Sequence, residues 1–399
     1  MALTISHRAQ NIAPSLTLQI DARAKEMKAA GLDVIGFGAG EPDFPTPQHI
    51  CDAAKEAIDL GLTRYTPAAG TKELRKAICE KLRKDNDMTY TYGDILVSNG
   101  AKHSLYTIFQ AILDPGDEVL IPTPCWVSYP EMVRMAGGVP VFIPSDESTD
   151  FIPSNKAIAS RVTRRTKAII ITSPSNPNGS VWSPEQLQFV ADLAVSHPFY
   201  VVSDEIYEKL IYDGRQHMSI AQLGEQIKGQ TFLVNGVSKA YAMTGWRIGY
   251  VAGPRHEITA MASFQSQATS NANSIAQYAA MKALQGDQSC VTAMVAEFQK
   301  RRDAMVEKIN SIPRISCRKP AGAFYIMLNI NELLGKHYNG RMLESSMDFA
   351  ELLLAEKQVA VVPGVAFEAE GFCRLSYAIS MDACMEGLNR IAEFVDSLG

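Results

Sequence analysis

What this 399-residue chain lacks excludes several functions at once. No apolar run approaches the roughly 18 residues of a membrane-spanning helix, and the opening MALTISHRAQNIAPS has no apolar core like that of a secretory signal. A cytoplasmic location is therefore expected. The seven cysteines, at 51, 79, 125, 290, 317, 373 and 384, are odd in number, scattered and never spaced Cys-x-x-Cys, which leaves neither a disulfide framework nor a zinc ribbon. None of the seven histidines falls in a His-Glu-x-x-His pattern, so no metal is expected. Aromatic residues are only 8% and do not interleave with basic runs, while 38 Lys and Arg against 43 Asp and Glu give a formal net charge of −5. This is neither a base-stacking platform nor a field that attracts nucleic acid or anionic lipid, so small molecules are the expected partners. No Walker A sequence occurs, and Gly36-Phe-Gly38-Ala-Gly40 lacks the third glycine of a dinucleotide fingerprint.

What is present reads as an ordinary globular protein, 46% hydrophobic and 20% charged. At about 150 residues per domain, the length suggests two to three domains. Short β-branched runs at Ile95–Ser98, Glu118–Ile121, Val139–Ile143, Ala168–Thr172, Phe199–Ser203, Thr231–Val234 and Gly249–Ala252 predict strands. Helical patterns lie between them at His103–Leu113, Val127–Ala136 and Pro184–Val195. This alternation predicts an α/β fold with a mostly parallel, helix-covered sheet. From Pro254 the pattern is largely helical to about Lys308. It then gives strand-like pieces at Ala323–Leu328, Ala360–Val362 and Arg374–Tyr377, with helices at Ser346–Glu356 and Met381–Val395. The expected division is a large domain over 46–285 and a smaller α+β domain built from 286–399 with 1–45, the latter containing a helix at Ser15–Ala30.

The most informative stretch is Gly236-Val-Ser-Lys-Ala-Tyr-Ala-Met-Thr-Gly-Trp-Arg-Ile-Gly249, which follows an apolar strand. A lysine held in a small-residue turn after a buried strand can be desolvated, which lowers its pKa and makes it a carbonyl-condensing amine. Arg247 could hold a phosphate near Lys239. A lone Ser-Lys would more simply be a surface loop, but the whole string resembles the pyridoxal-phosphate attachment signature of class I aminotransferases of the fold type I group. The similarity covers nearly the whole chain through GAGEPDF, YTP-x-x-G, WVSYPEM, SPSNP and SKAYAMTGWRIGY. It looks closest to bacterial aspartate aminotransferases of the Ib subgroup.

The resemblance implies pyridoxal 5′-phosphate as cofactor, joined covalently to Lys239. Asp204, at the end of an apolar strand, would face the pyridine nitrogen, and Tyr207 would place its hydroxyl on the ring oxygen. Taken alone, Asp-Glu-x-Tyr is equally a helix cap. Asn176, in Ser-Pro-Ser-Asn-Pro, would reach the same ring oxygen and the substrate, with a cis bond before Pro177; Asn178 stands where relatives carry Thr or Ser. Where the strand Asp94–Asn99 meets a helix start, the amides of Gly100, Ala101 and Lys102 would hold the phosphate, aided by Ser238 and Arg247. Trp126 resembles the tryptophan that stacks on the ring, beside Cys125 where relatives carry Tyr. Tyr65 resembles the tyrosine that reaches the phosphate of the neighbouring subunit, which implies a homodimer with active sites at the subunit interface.

For the substrate, the resemblance implies Arg374 on the α-carboxylate, where a forked guanidinium fits a planar anion. Gly40 would approach through its backbone. Lys102 would take the distal carboxylate of aspartate or glutamate. The implied reaction is ping-pong transfer of the amino group from L-aspartate to 2-oxoglutarate, giving oxaloacetate and L-glutamate. A prephenate or aromatic aminotransferase on the same fold stays as an alternative, ranked lower because Ala13 stands where prephenate-using relatives tend to carry a basic residue. A lyase on the same cofactor chemistry is a further rival. So is a non-catalytic pyridoxal-phosphate-binding regulatory module, although such modules often carry a DNA-binding extension for which this length leaves no room.

Overall fold

A computed structural model describes residues 4–399 apart from 11 and 15, and not the side chains of residues 7, 8 and 18. Its centre is a seven-stranded sheet of β1 (Ile95–Ser98), β2 (Glu118–Thr123), β3 (Val139–Pro144), β4 (Thr166–Thr172), β5 (Tyr200–Asp204), β6 (Thr231–Gly236) and β7 (Gly249–Ala252), in the order β1-β7-β6-β5-β4-β2-β3. Strand β7 is antiparallel to both neighbours, and the other pairings are parallel. Because β1 and β6 flank β7, they point the same way. The strands other than β7 therefore end at one edge of the sheet, where open α/β sheets bind ligands.

The run Ala168-Ile-Ile-Ile171 lacks polar alternation because both faces of the sheet are covered. Val119, Ile121, Ala168, Ile170 and Val202 share one core with Leu105, Ile108 and Phe109 of α3 (Ala101–Ile112). The intervening residues Leu120, Ile169, Ile171 and Val201 pack on the opposite face with Leu187, Val190 and Ala191 of a helix at Pro184–Ser196. Ser183 caps that helix in a reciprocal box with Gln186, which fixes its start. Two helices outside the predicted set, at Gln48–Asp59 and α2 (Lys72–Asn86), cover further sheet surface; Ile78 and Leu82 of α2 pack with Val97 and Tyr250.

A second, antiparallel sheet has the order β10-β11-β9-β8, with β8 (Ser316–Cys317), β9 (Tyr325–Asn329), β10 (Val362–Pro363) and β11 (Phe372–Ser376). Strand β9 starts two residues later than predicted, because Ala323 has a left-handed backbone (φ 57) that no strand continues. The two-residue β8 carries too little pattern to read from sequence. The predicted N-terminal helix is α1 (Leu16–Ala29), position 15 lying outside the described residues. Its Ala24 packs with Val34, Leu354 and Ala360, while Ile35–Gly36 pairs in parallel with Val359–Ala360. No helix among the described residues is long and apolar enough to cross a membrane.

Candidate active site

The edge of the large sheet, facing the small one, frames a cavity of about 600 Å³. Lys239, Asp204, Tyr207, Ser238, Arg247, Arg374, Asn176, Trp126, Ala101, Lys102 and Gly40 all line it. Gly100 is not among the lining residues and turns the chain just before α3. Tyr65 does not line this cavity and is 90% exposed.

Lys239 follows β6 in the turn expected from its small neighbours. Its Nζ donates to the Gly40 carbonyl at 2.6 Å and lies 5.8 Å from the centre of the Tyr207 ring. Burial lowers its pKa to about 8; the charges of Arg247 and Arg374 act in the same direction, while Glu41 and Asp204 oppose it. At pH 7 about a tenth of this amine is thus the nucleophilic free base, and about half at pH 8.

Asp204 ends β5 deep in the core. Burial pushes its pKa up to about 6, against the opposing hydrogen bonds from the Tyr129 hydroxyl to Oδ2 (2.7 Å) and from the Ile206 amide to Oδ1 (3.2 Å). The Tyr129 oxygen also lies 2.7 Å from Thr172 Oγ1. This carboxylate is dry, aimed and short of a cation, which is the environment that a protonated ring nitrogen would complete.

Strand β1 begins at Ile95, as its β-branched run predicts, because Tyr92–Asp94 forms a short helical turn in which Asp94 accepts from the Thr91 amide. Beyond β1, the turn at Gly100 has φ 85. A Cβ there would strike the Arg247 guanidinium, and one on Gly249 would strike the backbone nitrogen of Ala101, so both glycines are needed for close approach. The Gly100 amide is committed to Ser98 O at 2.8 Å. The first-turn amides of Ala101 and Lys102 have no acceptor one turn earlier in their own helix, which suits an anion. Arg247 stands over this turn, its Nη2 on Asn99 O at 3.2 Å and its Nη1 on Thr244 O at 2.7 Å. These groups fit a phosphate.

Arg374 reaches the same cavity from β11 of the small sheet. Nη1 donates to Asn176 Oδ1 at 3.0 Å and Nη2 to Gly38 O at 2.9 Å, while Nε is buried with no partner. Its guanidinium carbon stacks 4.4 Å from the Tyr325 ring centre. Burial lowers its pKa, yet a guanidinium keeps its charge, so the site offers an unmet demand for an anion. The bond before Pro177 is cis. Lys102 Nζ sits 4.7 Å over the Trp126 ring, and Trp126 meets Tyr129 edge-on at 5.3 Å. Asn178 turns its side chain onto Ser180 N at 2.9 Å within its own loop. Cys125 is buried beside Trp126, its thiol pushed up by burial.

Three cavity-lining residues receive no role from the sequence reading: Tyr129, within WVSYPEM, Thr172, at the end of a predicted strand, and Tyr325. Their signal is only a hydroxyl in an apolar stretch, which more often marks plain core. A second cavity, about 780 Å³, shares Lys102 and Arg247 with the first and is lined by Ala13, Tyr106, Val127 and Met135 among others. The Ala13 amide lies 3.4 Å from Glu131 Oε2. One buried group of metal-ligand type exists among the described residues: Glu205, Glu208 and His217, with ligand atoms within 4.8 Å of one another. The Lys81 ammonium already pairs with Glu208, and His217 Nε2 lies 2.9 Å from Glu205, so a cation already balances this cluster.

Residues 32–391 match the aminotransferase class I and II family. The chain belongs to that family. An aspartate aminotransferase of Bacillus sp. (strain YM-2) is 47% identical over 98% of this chain and 99% of its own length. A probable aspartate/prephenate aminotransferase of Aquifex aeolicus is 46% identical over 99% of each. The crystal structure of the aspartate aminotransferase from Rhizobium meliloti superposes with a TM-score of 0.96 at 44% identity, covering 100% of both chains. This aminotransferase therefore has the fold of the type I pyridoxal-phosphate-dependent enzymes, as its sheet order and motifs implied.

Proposed function

We propose that this aminotransferase is an aspartate aminotransferase that uses pyridoxal 5′-phosphate to move the amino group of L-aspartate to 2-oxoglutarate, giving oxaloacetate and L-glutamate. The observation that carries this reading is the convergence of Lys239, Asp204, Arg374 and Lys102 on one cavity, from both sheets. When bound, pyridoxal phosphate supplies the electron sink that lets an amino acid lose its Cα proton. The chain's own residues do the rest.

Lys239 would hold the cofactor covalently, and its amine, when free, would accept and redeliver the substrate's Cα proton. Its pKa of about 8 suits both directions of transfer near neutral pH. Asp204, aimed by Tyr129, keeps the ring nitrogen protonated. Tyr207 and Asn176 act at the ring oxygen, and Trp126 walls the ring. The amides of Ala101 and Lys102, with Ser238, Arg247 and the turn at Gly100, hold the phosphate. The 90% exposure of Tyr65 supports its service to a second copy, and hence a homodimer with active sites at the subunit interface.

Arg374 grips the α-carboxylate beside Asn176 and the Gly40 backbone, and Lys102 takes the distal carboxylate. Residues 46–285 form the cofactor-binding domain, residues 1–45 with 286–399 form the smaller domain, and the enzyme works in the cytoplasm. A second reading, transfer of an amino group to prephenate or from an aromatic amino acid, is favoured by the cavity beyond Lys102, whose wall includes Tyr106, Val127 and Met135. Purified enzyme assayed with aspartate or phenylalanine as donor to 2-oxoglutarate, and with glutamate as donor to prephenate, separates the readings. Negligible aspartate turnover beside rapid amination of prephenate by glutamate would reject the first. A cofactor absorption unchanged by every amino acid would reject transamination itself.

A further inference from the structure

Tyr325 stands between the two halves of the site. Its hydroxyl oxygen is 2.8 Å from that of Tyr207, and the rings meet edge-on at 5.9 Å and 80°. The Arg374 guanidinium carbon lies 4.4 Å from its ring centre, and a Cβ built on Gly40 would lie 3.6 Å from its hydroxyl. The two phenols come from different sheets. Tyr207 follows β5 of the large sheet. Tyr325 opens β9 of the small one, where Met327 pairs with Arg374 across the ladder.

Each phenol has one proton. A Tyr207 hydroxyl facing an anionic ring oxygen must donate to it, which leaves the Tyr207 oxygen as the acceptor for Tyr325. Both rings are buried, and burial raises both pKa values, so both hydroxyls stay protonated as donors over the working pH range. Hydrogen bonds in such a dry chain polarise one another, so a Tyr207 that accepts is a stronger donor than one that does not. The Tyr325 ring face meanwhile meets a guanidinium whose Nε has no polar partner, and the face attracts that charge.

We propose that Tyr325 is a positioning residue with two tasks: its hydroxyl donates to Tyr207 and strengthens that group's hold on the cofactor's ring oxygen, while its ring carries Arg374 for the substrate carboxylate. It thereby ties cofactor and substrate recognition to one side chain. This rests on the function proposed above.

The test uses the cofactor-loaded enzyme with Tyr325→Phe and Tyr325→Leu. The first readout is the pH titration of the cofactor's absorption, which follows the proton on the Lys239 linkage. That proton is drawn to both the linkage nitrogen and the ring oxygen, so weaker donation to the oxygen raises its affinity. Tyr325→Phe should move the midpoint upward by about one to a few tenths of a pH unit, the share of a hydrogen bond that polarisation along the chain contributes. The second readout is binding of succinate, a dicarboxylate without an amine, which should stay within about twofold in Tyr325→Phe and weaken roughly tenfold in Tyr325→Leu. An unmoved midpoint in Tyr325→Phe overturns the first task. Unchanged succinate binding in a Tyr325→Leu enzyme that retains its cofactor band overturns the second, and if that variant fails to fold, more than tenfold loss of succinate binding in Tyr325→Phe overturns it instead. A parent protein with no titrating band attached to Lys239 refutes the functional reading itself.

Discussion

Arg374 Nη1 donates to Asn176 Oδ1 across 3.0 Å, although 198 positions separate the two residues. One sits on the small antiparallel sheet and the other in the loop after β4 of the large sheet. The bond therefore joins the residue proposed to hold the substrate carboxylate to one proposed to face the cofactor. Anything that shifts the small sheet relative to the large one must move or break it, and the predictions below probe that convergence.

Replacing Arg374 by Lys keeps a charge but loses the fork. A lysine cannot serve Asn176, Gly38 O and a planar carboxylate together. We expect kcat/KM for aspartate to fall by roughly a hundredfold, with cofactor retained. Steady-state kinetics check this, and unchanged kinetics would remove Arg374 from the site.

Lys239→Ala should still take up pyridoxal phosphate non-covalently through the turn at Gly100 and through Asp204. Turnover should drop by at least about a thousandfold, because the amine held between Gly40 O and the Tyr207 ring is gone. Borohydride trapping in the parent enzyme followed by peptide mapping should label position 239, and a label elsewhere would refute the assignment.

Asp204→Asn separates stability from function. In the cofactor-free chain the Asp204 pKa is raised to about 6 from 3.8, so the native state is penalised for the ionised carboxylate at pH above 6, and that penalty fades as pH falls toward 3.8. The Asn variant should therefore be more stable than the parent by roughly 3 kcal/mol at pH 7.5, with a smaller margin at pH 5, while catalysis collapses. Urea denaturation of both cofactor-free proteins at the two pH values decides it. Equal stability at pH 7.5 would contradict the buried-charge reading.

Lys102→Met tests the choice of substrate. It removes the ammonium that lies over Trp126 but keeps a side chain of similar length. Aspartate kcat/KM should fall by about ten- to a hundredfold, whereas phenylalanine, with no distal carboxylate, should change by less than about threefold. Parallel losses for both substrates would show that Lys102 serves the cofactor rather than the distal carboxylate.

The sequence by itself determined the sheet. Uninterrupted β-branched runs such as Ala168–Ile171 belong only where both faces are covered, and β1 and β7 fall within the bounds that pattern predicts. It also exposed Lys239, Asp204, Asn176 and Arg374, because glycine, proline and lysine in fixed local strings leave a signature in consecutive residues. Chain-local pattern could not reveal the aromatic hydroxyls behind those groups. Tyr129 meets Asp204 from 75 positions away and Tyr325 meets Tyr207 from 118, each from an element of its own. A hydroxyl's role depends on the partner it reaches, and that partner is chosen by how α/β and antiparallel layers close on each other. Tertiary packing also decided that Arg247 would stand over the turn at Gly100, and that burial would bring Lys239 and Asp204 to pKa values of about 8 and about 6. Desolvation is a property of the surrounding volume, and no string of neighbours along the chain encodes it.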